Sequence, residues 1–424
     1  MSGISFLAGV REKKMLAKPK MRAEIEIVPW SREGEEVYLC YDRSGVSSAK
    51  LALAAEAARM AVLFDGAHSL LEVQDFCEKE YGERPHVAEV EEVLDSLDKA
   101  DFLDTPRFQD YYAELEREFI ARPVRESSSA GSVYSDVPEK LAAALDAFMA
   151  EARQPEDEDR ATNACRQAPR GVIVPHMDYA RAGAVYAQVY RELAQCVRPA
   201  AAVVIGTGHY PVKNRYVVCP KDFALPGGVM RYHREFTEEI LRHCAPEADF
   251  TEDILAHRNE HSVELQLVWL RRIWGDDLPV VPVLAGAVDD LLDDPARAES
   301  EPQLRIFAEA LQELGRRERI TIIASADLAH VGRRFGDDVD IDTEFQAAVE
   351  NRDREYLRAV KAGDAAGALR VLQAQADVNR LCGTGCIYAL NAALPGVPGR
   401  LLGYHQAITP ALEQAVSCAG LVFE

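Results

Sequence analysis

Residues 171–179, GVIVPHMDY, contain an apolar run that ends at a proline and a histidine. A run that is rich in β-branched residues and apolar on both faces is typical of a strand that helices cover on both sides. Three more runs share this character: AAVVIG at 201–206, PVVPVL at 279–284 and ITIIAS at 320–325. Amphipathic helices are predicted between the runs, at residues 182–195, 234–245, 261–274 and 303–315. The sequence therefore predicts an α/β fold in which helices cover a mixed sheet with some antiparallel strands.

The chain of 424 residues is long enough for two or three domains, and its composition divides it accordingly. Residues 132–424 contain the apolar runs and form the predicted α/β domain. Residues 36–121 predict a small, mostly helical domain, while residues 122–131 are rich in Ser, Pro and Gly, which favours a linker. Residues 1–35 are predicted to be an N-terminal tail, and the polar stretch 153–163 is predicted to be a surface loop.

Within the small domain, capping residues and apolar spacing predict three helices. The first begins at Ser47 or Ser48 and runs toward Phe64. The second covers residues 69–81. The third places apolar residues at helical spacing on one face: Val87, Val90, Val93, Leu94 and Leu97. Three short helices with small strands favour a winged-helix arrangement.

Composition and charge exclude several classes of function. The formal net charge of -22 argues against binding nucleic acid by general electrostatics. No stretch approaches the roughly 20 apolar residues that cross a bilayer, and the first residues are not typical of a secretory signal. Nine cysteines are scattered without a disulfide pattern, which favours a cytoplasmic protein with reduced or metal-bound thiols.

Three of the ten histidines follow predicted strands almost immediately. His176 comes one residue after Pro175, His209 follows the second run, and His330 ends the segment IIASADLAH together with Asp327. In open α/β sheets, ligands bind beyond the carboxyl ends of the strands. Imidazole at this edge serves metal binding or proton transfer, because its pKa lies near neutrality. One such histidine is as readily a hydrogen-bonded loop residue, but three together favour a shared pocket.

Two further segments carry candidate residues. His261 opens the predicted helix 261–274 with Glu264 one turn later, and both residues either face the pocket or cap the helix. Cys382 lies just before a predicted helix N-terminus, where the helix dipole favours the thiolate, a nucleophile or soft metal ligand. Cys386, one turn into that helix, is expected to be buried. The sequence has no Walker A motif and no GxGxxG after a strand, which disfavours nucleotide-driven chemistry, and it also has no GxSxG or HExxH motif.

Taken in order along the chain, several segments resemble those of the MEMO family, including the "AmmeMemoRadiSam system protein B" members. VPHMDYARAG (174–183) is similar to the family's Pro-His-Ala-Gly-Tyr motif, and IGTGHYPV (205–212) to its Gly-Pro-Ser-His segment. AGSVYSDVPEKLAAALDAFM (130–149) resembles the family's opening segment, with Val133 in place of Trp. NEHSVELQL, PVVPVLAGA, SADLAHVGRRF, LCGTG and YHQA follow in the family's order. The resemblance covers about residues 128–424.

This resemblance implies a metal pocket related to that of class III extradiol dioxygenases, which hold a non-haem Fe(II) with two histidines and a carboxylate. Carried over by position, the metal ligands are His176, His209 and Cys382. The resemblance also implies that His330 is the catalytic base, with Asp327 and His261 beside it. A thiolate ligand suits iron or copper, and zinc as well. Where the family often has Gly, this chain has Asp178, a carboxylate near the first or second shell of the metal.

The small domain resembles PqqD-like winged-helix domains through HSLLEVQDFCEKEYG (68–82) and VEEVLDSLDKADFL (90–103). That resemblance implies peptide presentation to a radical-SAM enzyme. Winged helices also bind DNA, but the acidity of these two segments argues against a DNA-reading face. A packing or dimerisation module remains an alternative.

Two classes of function follow from these resemblances. The first is a metal-dependent oxidoreductase of the dioxygenase-like type, with His330 as base oriented by Asp327. The second is a non-enzymatic protein that binds a peptide ligand, a radical-SAM enzyme or an AMMECR-type partner protein, or that sequesters metal. An open coordination position would favour the enzyme, because a structural or sequestering site tends to be closed.

Overall fold

The computed structural model describes residues 18–32, 35–152 and 166–424. Contacts between residues divide the chain into two compact units, Met1–Ala121 and Arg122–Glu424. Residues 1–17 of the predicted tail and the predicted loop 153–163 lie outside the described residues.

The N-terminal unit combines a three-stranded antiparallel sheet with helices. The sheet has the order β1-β2-β3, with β2 in the middle. Its core contains Phe64, Leu70, Val90, Leu97 and Phe102. The elements are β1 (Ile25–Arg32), β2 (Glu35–Asp42), β3 (Lys50–Leu53), α1 (Ala55–Ala61), α2 (Leu70–Tyr81), α3 (Val87–Lys99) and α4 (Pro106–Ala121).

The strands of this unit differ from the sequence-based expectation. Strand β1 lies within the segment predicted as a tail, because it pairs with β2 along its whole length. Strand β3 occupies the start of the predicted first helix, and α1 begins only at Ala55, because Lys50–Leu53 pairs with β2. The second helix begins at Leu70, one residue later than predicted, and ends at Tyr81 as predicted. Its N-cap Ser69 forms a capping box with Glu72, and Gly82 ends it in the left-handed conformation at φ 78°.

The C-terminal unit is built on an eight-stranded mixed sheet, which confirms the predicted α/β class. Its strand order is β14-β16-β6-β13-β8-β12-β9, with β15 paired to β16. The predicted strands β6, β13, β8 and β12 are parallel, whereas the strands on either side of them pair antiparallel. The strands are β6 (Gly171–Val174), β8 (Ala201–Thr207), β9 (Tyr216–Val218), β12 (Val280–Ala285), β13 (Ile320–Ser325), β14 (Asp327–Val331), β15 (Gly399–Thr409) and β16 (Gln414–Phe423).

Helices cover this sheet in two groups. Helices α6 and α8 contact each other and the sheet. Helices α10 and α13 also contact each other, α13 packs on three strands of the sheet, and Phe307 of α10 stacks on Tyr216 at 3.9 Å. The two groups cover opposite faces of the sheet, because successive residues of a strand face opposite sides. On β8, Ile205 packs in the core with α10 and α13, whereas the next residue, Gly206, lies against α8. The helices are α5 (Pro138–Glu151), α6 (Tyr179–Ala194), α7 (Arg234–Cys244), α8 (His261–Trp274), α9 (Arg297–Ser300), α10 (Pro302–Arg317), α11 (Thr343–Lys361), α12 (Ala365–Ala374) and α13 (Thr384–Ala393).

The segment 122–131, predicted as a linker, is packed into the C-terminal unit. Its strand β4 (Val124–Arg125) pairs parallel with β10 (Asp222–Leu225), which pairs antiparallel with β11 (Gly228–Met230). Strands β5 (Arg166–Gln167) and β7 (Cys196–Val197) form a separate parallel pair. Arg125 is fully buried and forms an ion pair with Glu264 of α8. The hydroxyl groups of Ser127 and Ser128 also donate to Glu264. The serines of this segment therefore form buried hydrogen bonds and do not indicate a linker.

Candidate metal centre

Strands β6 and β8 bring two of the predicted histidines to the same edge of the sheet. His176 follows the end of β6, and His209 follows the end of β8. Both strands pair in parallel with β13, so their carboxyl ends meet at that edge. The ring centroids of His176 and His209 are 4.9 Å apart with the rings edge to face.

Helix α8 delivers a third imidazole to this pair. The ring of His261 lies 4.9 Å from that of His209 and 5.6 Å from that of His176, centroid to centroid. One nitrogen from each of the three rings lies within 4.8 Å of the others, close enough for one metal ion. The helix is capped by the preceding residue, Glu260, whose carboxylate accepts from the His261 and Ser262 amides.

The close approach of α8 to the sheet explains where His261 lies. A Cβ atom on Gly206 would stand 2.4 Å from the Ser262 hydroxyl oxygen and 2.9 Å from the Val263 nitrogen. Glycine at this position therefore allows the N-terminus of α8 to rest directly on β8. Glu264, the other candidate on this helix, binds Arg125, Ser127 and Ser128 and not the three histidines.

Hydrogen bonds orient all three imidazole rings in the same way. His176 Nδ1 lies 3.0 Å from the Ser325 carbonyl oxygen, to which it donates. Nδ1 of His209 is 3.1 Å from both Glu260 oxygens, and Nδ1 of His261 is 3.2 Å from Oε1 of the same carboxylate. A proton held on Nδ1 leaves the lone pair of Nε2 available to a metal.

Glu260 was not predicted as a site residue, although it holds two of the three rings. Its carboxylate is buried and also accepts from the His209 backbone nitrogen at 3.0 Å. Burial by itself would raise the pKa of Glu260, but the charge of His209 and the hydrogen bonds from His209 and His261 outweigh it and hold the pKa well below its usual value. The group is therefore an anion that fixes the ring orientation of both histidines. An acidic residue directly before the first histidine of a helix is the sequence signal that could have identified it.

Cys382 lies beside His176. Its Sγ atom is 3.4 Å from His176 Nε2 and 3.9 Å from the Asp327 carbonyl oxygen. The approach is close because Gly383 has no Cβ, which would stand 2.4 Å from the Ala326 Cβ. Burial raises the pKa of the Cys382 thiol well above its ordinary value, and the charge of Asp327 acts in the same direction. The protein surroundings therefore oppose the thiolate that the helix dipole was expected to favour, and a bound cation is the charge that would reverse this.

Asp327 is tied to the same histidine. Its Oδ1 accepts from the backbone nitrogens of His176 at 3.0 Å and Met177 at 3.3 Å. Its Oδ2 lies 3.6 Å from His176 Nε2. Burial is the main cause that raises the pKa of the Asp327 carboxyl. Two of the predicted residues, Cys382 and Asp327, therefore both lie close to Nε2 of His176.

His330 is held differently from the prediction. Its Nδ1 lies 3.1 Å from the Leu328 carbonyl oxygen, and its ring packs edge to face with Phe335 at 5.3 Å. Among the described residues no hydrogen bond joins His330 to Asp327, so Asp327 acts on it through charge. Burial lowers the pKa of His330, partly offset by Asp327, which leaves the ring neutral and able to accept a proton.

The carboxylate of Asp178, predicted to lie near the metal, is engaged at the start of helix α6. It caps helix α6, accepting from the Arg181 backbone nitrogen at 3.1 Å, and binds Arg181 Nε at 2.5 Å.

The C-terminal unit is thus a mixed α/β domain with three imidazoles at the carboxyl edge of its parallel strands, in an arrangement that could hold a metal ion. The model of the Memo-like protein family matches residues 125–422, and the chain belongs to this family.

Several relatives share much of the chain. A MEMO1 family protein of Aquifex aeolicus is 27% identical over 412 residues, covering 96% of this chain and 100% of the relative. A MEMO1 family protein of Thermus thermophilus is 27% identical over 358 residues, covering 84% of this chain and 98% of the relative. One from Methanopyrus kandleri is 27% identical over 305 residues, covering 70% and 98%. The alignment with the Aquifex protein is long enough to include most of the N-terminal unit. None of the described helices is both long and apolar enough to cross a membrane.

Proposed function

We propose that the C-terminal unit binds one transition-metal ion through Nε2 of His176 and His209, with His261 or Cys382 completing the set. The observation that carries this proposal is the common orientation of the three rings, each with Nδ1 engaged by an acceptor. With Nδ1 engaged in every ring, the Nε2 lone pairs are left for a ligand, and one nitrogen from each ring lies within 4.8 Å of the others. The ligand types fit iron or copper, and also zinc.

The surroundings favour an oxidoreductase of the dioxygenase-like type over metal sequestration. The side chains of His209 and His261 are 26% and 36% exposed, so one side of the cluster is open to solvent. A catalytic site needs such an open side, whereas a structural site is closed. A bound iron or copper ion would supply Lewis acidity and electron transfer there. His330 would accept the substrate proton, Asp327 would stabilise the resulting imidazolium, and Glu260 would hold His209 in place.

Metal analysis of protein purified without oxygen tests this proposal. We expect close to one equivalent of iron or copper in the parent protein and a loss of metal in His176→Ala and His209→Ala. His243→Ala is the matched control, because His243 lies on α7 beside Glu313 and outside the cluster. Retention of metal by both site variants, or no binding by the parent protein under any loading condition, would show that these residues do not form a metal site.

A second function is favoured by the N-terminal unit, which we propose binds a peptide segment of a radical-SAM enzyme, of an AMMECR-type protein or of their substrate. Among the described strands, β3 pairs with β2 alone and leaves its other edge available. The end of β3 also borders a cavity of about 740 Å³, lined by Leu53, Met60, Cys77, Tyr81 and Val93. An extended peptide can add to such an edge as a further strand, with side chains entering the cavity.

The charges around this cavity indicate which peptide it would accept. Four acidic residues line it, Glu56, Glu83, Glu89 and Glu92, against two arginines, Arg59 and Arg84. A peptide with basic and apolar residues should therefore bind the full-length protein more tightly than its acidic counterpart, as measured by fluorescence anisotropy. Glu92→Lys should weaken the binding, while Glu91→Lys, which changes a neighbour outside the cavity, should not. Equal binding of both peptides would contradict this function.

A further inference from the structure

Arg181 lies in the first turn of α6, five residues after His176. Asp178 fixes its guanidinium by accepting from Nε at 2.5 Å. Within the described residues, Nη1 and Nη2 of Arg181 form no hydrogen bond, and the side chain is 35% exposed. The end of the guanidinium that carries two parallel N–H groups is therefore open to solvent while its other edge is anchored.

This anchored guanidinium lies at the edge of the sheet that carries the histidine cluster. Strand β6 ends at Val174 and α6 begins at Tyr179, three residues after His176, so the first turn of α6 with Arg181 follows directly on the cluster. The positive charge of Arg181 agrees with this position, because it lowers the pKa of His330 in the same direction as burial, the larger cause. The half-buried ring of Phe335, edge to face with His330, adds an apolar surface to the same region.

An arginine held in this way is suited to a carboxylate. The free end of a guanidinium matches the two oxygens of a carboxylate with two parallel hydrogen bonds, and the anchored Nε reduces the entropy lost on binding. In a chain with a net charge of -22, a cation beside the pocket also attracts anions that the rest of the surface repels. An ion pair between residues three apart on a helix contributes little to stability, so the Asp178 contact does not by itself account for this arginine.

We propose that Arg181 binds the carboxylate of a small substrate with an apolar body, which it directs to His330 and the metal centre. This assignment rests on the proposed function for the location of the reacting atoms. Binding of the carboxylate itself depends on Arg181 and can be measured without any reaction.

Calorimetric titration with benzoate and with benzamide tests the assignment. The two probes have nearly the same shape, but only benzoate carries a charge. Both are titrated into metal-free and zinc-loaded full-length protein, because a carboxylate could also bind the metal directly. We expect benzoate to bind more tightly than benzamide in both forms. Arg181→Gln should weaken benzoate binding about ten- to a hundredfold, and Arg181→Lys less, since lysine keeps the charge but not the paired N–H groups.

Arg305→Gln is the matched control, because Arg305 is an exposed arginine of α10 paired with Glu309 four residues on. It should leave benzoate binding unchanged. The assignment is overturned if benzoate does not bind at millimolar concentrations, if benzamide binds equally well, or if Arg181→Gln binds benzoate like the parent protein. Metal content is measured in the same samples. Unchanged metal in Arg181→Gln with lost benzoate binding supports this assignment, whereas absent metal with retained benzoate binding contradicts only the metal centre.

Discussion

Replacing Arg125 by methionine should destabilise the C-terminal unit more than any surface substitution. The side chain is completely buried and donates from Nε to the His257 carbonyl at 2.9 Å and from Nη2 to the Glu260 carbonyl at 2.7 Å. It also forms an ion pair with Glu264, which is equally buried. Methionine has a similar length, so it removes the charge while leaving a small cavity.

The expected magnitude follows from the charge that is left behind. Removing one partner of a buried ion pair costs about 3–5 kcal/mol, because the other charge stays buried without compensation. Glu264 would keep its bonds from Ser127, Ser128 and Tyr134, which places Arg125→Met toward the lower end of that range. Removing both charges in Arg125→Met/Glu264→Gln should recover part of the loss, since no unpaired ion remains.

Chemical unfolding followed by tryptophan fluorescence measures this effect. Trp269 is buried in the C-terminal unit, so its emission reports unfolding there. The reasoning is refuted if Arg125→Met loses less than about 1 kcal/mol of unfolding free energy, the value of an ordinary hydrogen bond. It is also refuted if the loss of unfolding free energy in the double variant equals the sum of the losses in Arg125→Met and Glu264→Gln.

Three further outcomes are expected. The charge of Arg125 and the hydrogen bonds to Glu264 outweigh burial and lower the pKa of Glu264 from 4.5 to about 2. The parent protein should therefore be more stable than Glu264→Gln by a constant amount above pH 4.5. Acid unfolding curves should show this difference declining as the pH falls toward 2. Gly206→Ala should cost about 1–3 kcal/mol and weaken metal binding by moving α8, whereas Gly315→Ala, whose added Cβ meets nothing closer than 3.8 Å, should not. If Cys382 is a metal ligand, the cobalt-loaded protein should show a sulfur-to-metal absorption band. Cys382→Ser should lose this band and Cys386→Ser should keep it. A band that is present in both variants would exclude Cys382 as a ligand.

The parallel core of the C-terminal unit could be predicted because each strand has a continuous apolar signal. Strands β6, β8, β12 and β13 are buried at every residue, which the runs of β-branched residues indicate directly. The order of such strands also brings the residues after β6 and β8 together, so His176 and His209 could be paired from the sequence. Strand β3 could not be recognised, because four residues of mixed polarity form a strand only when β2 supplies the hydrogen bonds.

The details of the site depend on contacts between distant residues. Arg125 and Glu264 are separated by 139 positions, so the composition of residues 122–131 could not reveal that this segment is packed. The thiol of Cys382 was expected to be acidic because of its position before a helix, but burial has the opposite and larger effect on its pKa. The position of Glu260 before His261 signals only its contact with that histidine, whereas its contact with His209, 51 positions earlier, depends on the fold.

Both sets of contacts, those of the histidine cluster and those of Arg125, are made by helix α8. Its N-terminal residue His261 and its cap Glu260 determine the positions of two imidazole rings, and Gly206 allows that end of the helix to rest on the sheet. One turn later, Glu264 attaches the helix to Arg125, which also donates to the carbonyl of Glu260. The buried ion pair and the histidine cluster therefore share a rigid element. A change at Arg125 should consequently alter metal affinity although Arg125 contacts none of the three histidine rings, whereas a loss of stability without any change in affinity would show that the helix end is held by the sheet alone.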